Sequence, residues 1–261
     1  MKTNRLRSLL DAGAGTLGTR LFSIWPAMVE IVGHTGMFDY VEFLGEYAPF
    51  DLSSLDNFCR AAELHGLGSV IKVDAELSMF VAQRAIGAGF EGVLFANCRS
   101  PGEVEQSLLA IKPDTPEGQG HYGVVAARSS LPLYDGTREY VDALARTVVL
   151  VMIEKRPAVE TLDEVLAVPG IDMVQWGPAD YAMSIGRPGE RRSKQVRDAE
   201  RHVLETCREA GIPARAEISS LEEARRYLDL GVRHFSLGSD LLIVYDFLQR
   251  EGDKLQTLMD R

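Results

Sequence analysis

Glu154 and Asp180 are the residues whose sequence surroundings best suit chemistry. Each follows a strand-like hydrophobic run: Val148-Val149-Leu150-Val151-Met152-Ile153 leads into Glu154, and Met173-Val174-Gln175-Trp176 leads into Gly177-Pro178-Ala179-Asp180. A carboxylate at the C-terminal tip of a buried parallel strand sits where α/β barrels do their chemistry. Two of them on neighbouring strands offer hard oxygen donors. Such a pair can grip one divalent cation and leave open positions for substrate and water. Taken singly, each acid is better explained by an ion pair with Lys155 or Arg187; taken together they favour a metal.

Such acids need strands to carry them, and the chain alternates strand-like and helix-like segments almost throughout. Strands are predicted over 16–22, 40–43, 69–73, 92–96, 148–153, 173–176, 215–218 and 233–237. Helices are predicted over 25–36, 54–65, 80–88, 101–111, 191–210 and 221–230, several of them stopped by glycine, and an apolar helix follows Asp240. The stretches 112–120 and 129–137 are rich in breakers and read as irregular. The short run 122–127 is assigned to a loop near the barrel mouth, because a strand there would make nine. Eight strands alternating with helices predict a parallel sheet. A length of 261 residues and no GxGxxG after the first strand favour a closed (β/α)8 TIM barrel over a doubly wound sheet. The whole chain, 1–261, is expected to be one domain.

A formal net charge of −10 argues against nucleic acid or an anionic membrane as partner. Hydrophobic residues make up 46% and charged residues 25%, a globular balance with no run long enough for a membrane span. No signal peptide is expected from the first residues. Cys59, Cys98 and Cys207 lie far apart without metal or redox spacing and read as reduced thiols, so a cytoplasmic setting is expected.

Three segments, in order, give the chain a resemblance. Phe38-Asp39-Tyr40-Val41-Glu42-Phe43-Leu44-Gly45-Glu46-Tyr47-Ala48-Pro49 resembles the second-strand motif of the HpcH/HpaI aldolases. Gly170 to Asp180, ending in Gly-Pro-Ala-Asp, is similar to that family's second metal motif, and Gly231 to Asp240 is similar to its last barrel strand. The resemblance runs from about Gly15 to Asp240. It implies a metal-dependent class II aldolase on a TIM barrel, acting on pyruvate or a related 2-oxo acid with an aldehyde-type partner. It further implies Mg²⁺, Mn²⁺ or Co²⁺ held by Glu154 and Asp180. The carboxylate of the substrate would be seated by backbone around Gly177, Pro178, Ala179 and Asp180. The assembly implied is a homo-hexamer, a trimer of dimers with C-terminal helices swapped between subunits.

The chain departs from the family in the other half of the site. Tyr47 stands where the family has an acid/base histidine, Leu44 where it has that histidine's aspartate partner, and Lys72 where it has an arginine. Lys72 at a strand tip can set positive charge beside a developing enolate, without the bidentate fork of arginine; its bland role is an ion pair with Asp74 or Glu76. A tyrosine is a weak base unless a cation lowers its pKa from about 10. Metal-bound water is therefore favoured as base, oriented by Glu46, with Tyr47 as orienter or acid. His34 and His121 are candidate substitutes from nearby loops. Arg20, ending the first strand, is a candidate for binding the substrate carboxylate, and Trp25 and Trp176 are candidate pocket wall. Besides the aldolase, two other functions fit these residues: the same metal barrel running C–O cleavage or hydrolysis, and an oxo-acid-binding protein without turnover.

Overall fold

Eight parallel strands close into a barrel, β1 to β8 in sequence order, in a computed structural model that describes residues 3–74, 78–131 and 136–259. Glu76 and residues 132–135, which enter the expectations above, lie outside the described residues. The strands are β1 (Thr16–Leu21), β2 (Tyr40–Phe43), β3 (Gly68–Val73), β4 (Gly92–Phe95), β5 (Val148–Ile153), β6 (Met173–Trp176), β7 (Ala214–Ile218) and β8 (His234–Ser239). The expected strands are all present, with ends moved by one or two residues. Around them lie α1 (Arg5–Asp11), α2 (Pro26–Thr35), α3 (Leu52–Leu64), α4 (Ser78–Ala88), α5 (Pro101–Ile111) and α6 (Arg138–Ala145). The ring continues through α7 (Arg156–Glu160), α8 (Leu162–Leu166), α9 (Pro178–Ser184), α10 (Lys194–Glu209), α11 (Leu221–Asp229) and α12 (Asp240–Leu258).

Local sequence explains the helix starts. Asp51 and Ser54 form a reciprocal capping box on α3, and Ser100, Ser193 and Ser220 accept the first free amides of α5, α10 and α11. Helices α1, α6, α7, α8 and α9 are too short to show periodicity and were not expected. Helix α1 packs across the N-terminal end of the barrel: Leu6 is buried in the barrel's interior and Arg7 makes two contacts of 2.5 and 2.6 Å to Asp172.

Side-chain alternation divides the molecule into two cores. Outward-facing Phe43, Ile71, Val93, Val151 and Val174 pack under the helices, where Phe58 and Phe90 stack at 5.4 Å. Inward-facing Val70, Leu94, Leu150, Met152 and Met173 fill one side of the barrel. The other side is polar. Buried Arg215 pairs with Glu42 and donates to Gln175 Oε1 at 2.6 Å and to Tyr40 Oη at 3.2 Å. Gln175 in turn donates to Glu217 Oε1 at 2.6 Å. Only glycine fits at position 18, because a Cβ there would lie 2.2 Å from the Tyr40 ring.

One expectation of position is corrected. The run 122–127 is irregular, as expected, but it does not lie at the active mouth. It packs against α4: Tyr122, buried in the core, donates through Oη to Gln83 O at 3.0 Å, and just beyond the run Arg128 reaches Ala88 O at 2.6 Å. The segment leaves the C-terminal end of α5, which lies at the N-terminal end of the strands, and stays on that side. The apolar residues of α12, among them Leu241, Leu242, Val244, Phe247 and Leu248, are exposed in the single chain. Among the described residues, no helix is long and apolar enough to cross a membrane.

Candidate active site

The C-terminal ends of β2, β3, β4, β5 and β6 converge on one cluster of charged groups. Lys72, on β3, points into the barrel and is almost fully buried. Its Nζ lies 2.7 Å from Glu46 Oε2 and 2.6 Å from Tyr47 Oη, both on the turn after β2. Glu46 is thus the partner of Lys72, in preference to the expected ion pair with Asp74. The turn can approach β3 because position 45 is glycine: a Cβ there would meet Lys72 O at 3.0 Å. The Tyr47 ring lies beneath the ammonium, 4.6 Å from Nζ to centroid, and stacks on Phe22 at 6.2 Å.

These contacts set the protonation states. Burial pushes the Tyr47 phenol up to about 12, overcoming the opposing pull of Lys72. The cation that was to make tyrosine a base is present, yet the phenol stays protonated at neutral pH. Burial works against the Lys72 ammonium, but Tyr47 and Glu46 outweigh it and hold the proton more tightly than usual. Both groups therefore stay protonated and act as hydrogen-bond donors.

Glu154 follows β5 and is buried. Its Oε1 accepts from Asn97 N at 2.7 Å, whereas Oε2 is buried without a hydrogen-bond partner among the described residues. Burial raises its pKa, with Lys72 opposing. Gly177 makes room for that carboxylate: a Cβ at 177 would lie 2.5 Å from Glu154 Oε2. Pro178 and Ala179 begin α9, and Asp180, in its first turn, is 2.8 Å from Lys155 through Oδ1. The bland reading of Asp180 as a partner of Lys155 is thus realised, while Arg187 pairs with Glu190 instead. With its side chain 40% exposed, Asp180 still faces solvent.

Among the described residues no three His, Cys, Asp or Glu side chains are grouped to hold a metal ion. Two carboxylates nonetheless fit Mg²⁺ or Mn²⁺, which take one or two protein acids and fill their remaining positions with substrate and water. The orphaned Glu154 Oε2 supplies the structural reason, since a buried carboxylate oxygen without a donor is costly unless something positive meets it.

Other expected residues sit elsewhere. Trp176 faces outward against Tyr181, with ring centroids 4.8 Å apart, because along β6 Met173 and Gln175 take the inward positions. It is not barrel-facing pocket wall. Trp25 begins the connection into α2 at the active end and is 64% exposed. Arg20 points into the barrel, but its guanidinium is committed to Glu217 and to Gly238 O at 3.0 Å. His34 packs edge-on against His65, 4.6 Å between centroids, where α2 and α3 end; that is the opposite face of the barrel. His121 belongs to the outer loop, its N donating to Leu109 O at 2.8 Å. Neither histidine can replace the missing acid/base group. Cys98, buried near Asn97, has its thiol pushed up to about 12 by burial, which removes it as a nucleophile.

Asn97 was missed by sequence reasoning. It lies two positions beyond β4, where Glu154 lies one beyond β5, so the strand-tip rule that found the acids would have found it had amides been included. Glu42, Arg215 and Glu217 were missed because polar residues inside strands read as solvent-facing when the chain is scanned singly.

A model of the HpcH/HpaI aldolase/citrate lyase family matches residues 21–246. A hydroxypyruvate/pyruvate aldolase from Roseovarius nubinhibens is 30% identical over 250 residues, covering 93% of each chain. The solved structure of an HpcH/HpaI aldolase/citrate lyase family protein from Burkholderia cenocepacia superimposes with a TM-score of 0.87 at 25% identity, covering 97% of this chain and 100% of that one. The citrate lyase β subunit of M. tuberculosis, solved with oxaloacetate and magnesium, superimposes with a TM-score of 0.57 at 15% identity, over 88% of this chain and 93% of the other.

Proposed function

From the premise that this chain belongs to the HpcH/HpaI aldolase/citrate lyase family and is a carbon–carbon lyase of aldolase type, we propose that it makes or breaks the bond beside pyruvate or a related 2-oxo acid, with an aldehyde as the other reactant. The carrying observation is Glu154 Oε2, buried and without a donor, in a carboxylate that feels the charge of the solvent-facing Asp180. These two residues would hold a divalent cation, Mg²⁺, Mn²⁺ or Co²⁺. The magnesium in the citrate lyase β subunit of the same fold supports that choice. When bound, such an ion supplies Lewis acidity to the 2-oxo acid.

The chain's own residues do the rest. Gly177, Pro178 and Ala179 present the start of α9 to the substrate carboxylate. Lys72 adds positive charge where enolate character develops, and Tyr47, protonated up to about pH 12, gives or orients a proton at its phenol oxygen. Glu46, fixed by Lys72 and Asn97, would orient toward the carbon beside the carbonyl a water that the cation, when bound, makes acidic enough to act as a base in its deprotonated form. The exposed apolar face of α12 supports a homo-oligomer, a trimer of dimers with exchanged helices, in which each copy of 1–261 is one lyase domain. The buried free cysteines are in keeping with a cytoplasmic setting.

Exchange of the pyruvate methyl protons in deuterated buffer tests the proposal. Exchange is expected with Mn²⁺ or Mg²⁺, lost with a chelator and absent in Glu154→Gln and Asp180→Asn. Exchange that persists after complete chelation would refute the metal-dependent mechanism. With metal bound and no exchange, the replacement of histidine and arginine by Tyr47 and Lys72 would instead indicate another reaction on the same barrel.

A further inference from the structure

Asn97 joins the metal half of the site to the rewritten half. Asn97 lies two positions beyond β4 with φ of 62°; among the described residues the only other non-glycine at positive φ is Gln119. This left-handed conformation is unfavourable for most side chains, and asparagine tolerates it best after glycine. It turns two donors of one residue toward two different carboxylates. The backbone N–H meets Glu154 Oε1 at 2.7 Å, and side-chain Nδ2 meets Glu46 Oε1 at 3.0 Å.

Each carboxylate is thereby held by one oxygen and keeps the other for a separate task. Glu154 Oε2 is left over Gly177 without a donor, and Glu46 Oε2 takes the Lys72 ammonium at 2.7 Å. We propose that Asn97 is a positioning residue that sets both acids from one strained backbone position: its amide aims Glu154 at the cation, and its side chain holds Glu46 against Lys72 and Tyr47. The assignment takes from the functional proposal that Glu154 and Asp180 hold the cation, and its kinetic readout takes the exchange reaction as well.

The two contacts are separable by substitution. Asn97→Gly keeps the left-handed turn and the backbone donor but removes Nδ2. Asn97→Val resists positive φ and disturbs both contacts. Three readouts are taken: Mn²⁺ affinity of the metal-free protein by calorimetry, kcat and KM for pyruvate methyl exchange, and the crystal structure of metal-free Asn97→Gly. Asn97→Gly is expected to bind Mn²⁺ like the parent, to lose about 10- to 100-fold in kcat at unchanged KM, and to show Glu46 turned away while Glu154 stays on the amide of residue 97. Asn97→Val is expected to lose about 10-fold or more in Mn²⁺ affinity as well. The proposal is overturned if Asn97→Gly weakens Mn²⁺ binding as much as Asn97→Val does, if its kcat is unchanged, or if its Glu46 does not move. A parent protein that binds no Mn²⁺ would refute the functional proposal, while the crystal structure would still decide the positioning role.

Discussion

Tyr47 shows how a neighbour's sign alone can mislead. A lysine 2.6 Å from a phenol ought to lower its pKa, and Lys72 does pull in that direction, but burial is the larger effect and the phenol ends at about 12. Tyr47 is therefore an acid or orienter across the working pH range. Tyr47→Phe should lower kcat for methyl exchange by about 10²-fold with little change in KM. It should also create no new pH step between neutrality and pH 9, because the phenol it removes does not titrate there. A variant as fast as the parent, checked by initial rates, would leave Tyr47 a packing residue. The identities of Glu154, Asp180, Lys72 and Glu46 were legible because strand tips are legible. Their pairings were not. Whether Lys72 turns to Glu46 or to Asp74 depends on the close approach that Gly45 permits between β2 and β3.

At the scale of elements, β4, β5 and β6 were legible as compact apolar runs, while β1, β7 and β8, which carry polar residues, were legible from their place in the strand–helix alternation. The short helices were not, since five to eight residues complete too few turns to display a face. Nor could the run 122–127 be located, because its place is fixed by non-local contacts with Gln83 and Ala88. The polar side of the barrel has a consequence of its own. His234 at the start of β8 is 3.0 Å from Thr16 Oγ1, and burial, with Arg215's charge adding to it, holds it below the ordinary 6.5. The folded protein thus takes up this proton at lower pH than the unfolded chain. The contribution of His234 is fully present above pH 6.5 and is lost as pH falls through 6.5 toward the folded value. Urea midpoints between about pH 7.5 and 5.5 should fall more for the parent than for His234→Asn. Equal slopes would show that His234 carries no such linkage.

For the whole molecule, a strand–helix pattern repeated eight times closes into a barrel, which covers both faces of the parallel sheet and leaves it no edge. Among the described residues nothing covers the apolar side chains of α12. Leu241, Leu242, Val244 and Phe247 stand exposed on a helix of 19 residues, which is the basis for the proposed assembly. Sedimentation should give a hexamer for the parent and smaller species for Leu242→Glu or Val244→Glu; a monomeric parent would contradict the assembly. The central claim concerns the cation, and one measurement reaches it directly. Crystals soaked in Mn²⁺ with pyruvate or oxalate, measured at the manganese absorption edge, should give an anomalous peak between Glu154 Oε2 and the Asp180 carboxylate. Fully soaked crystals with no peak there would contradict the account.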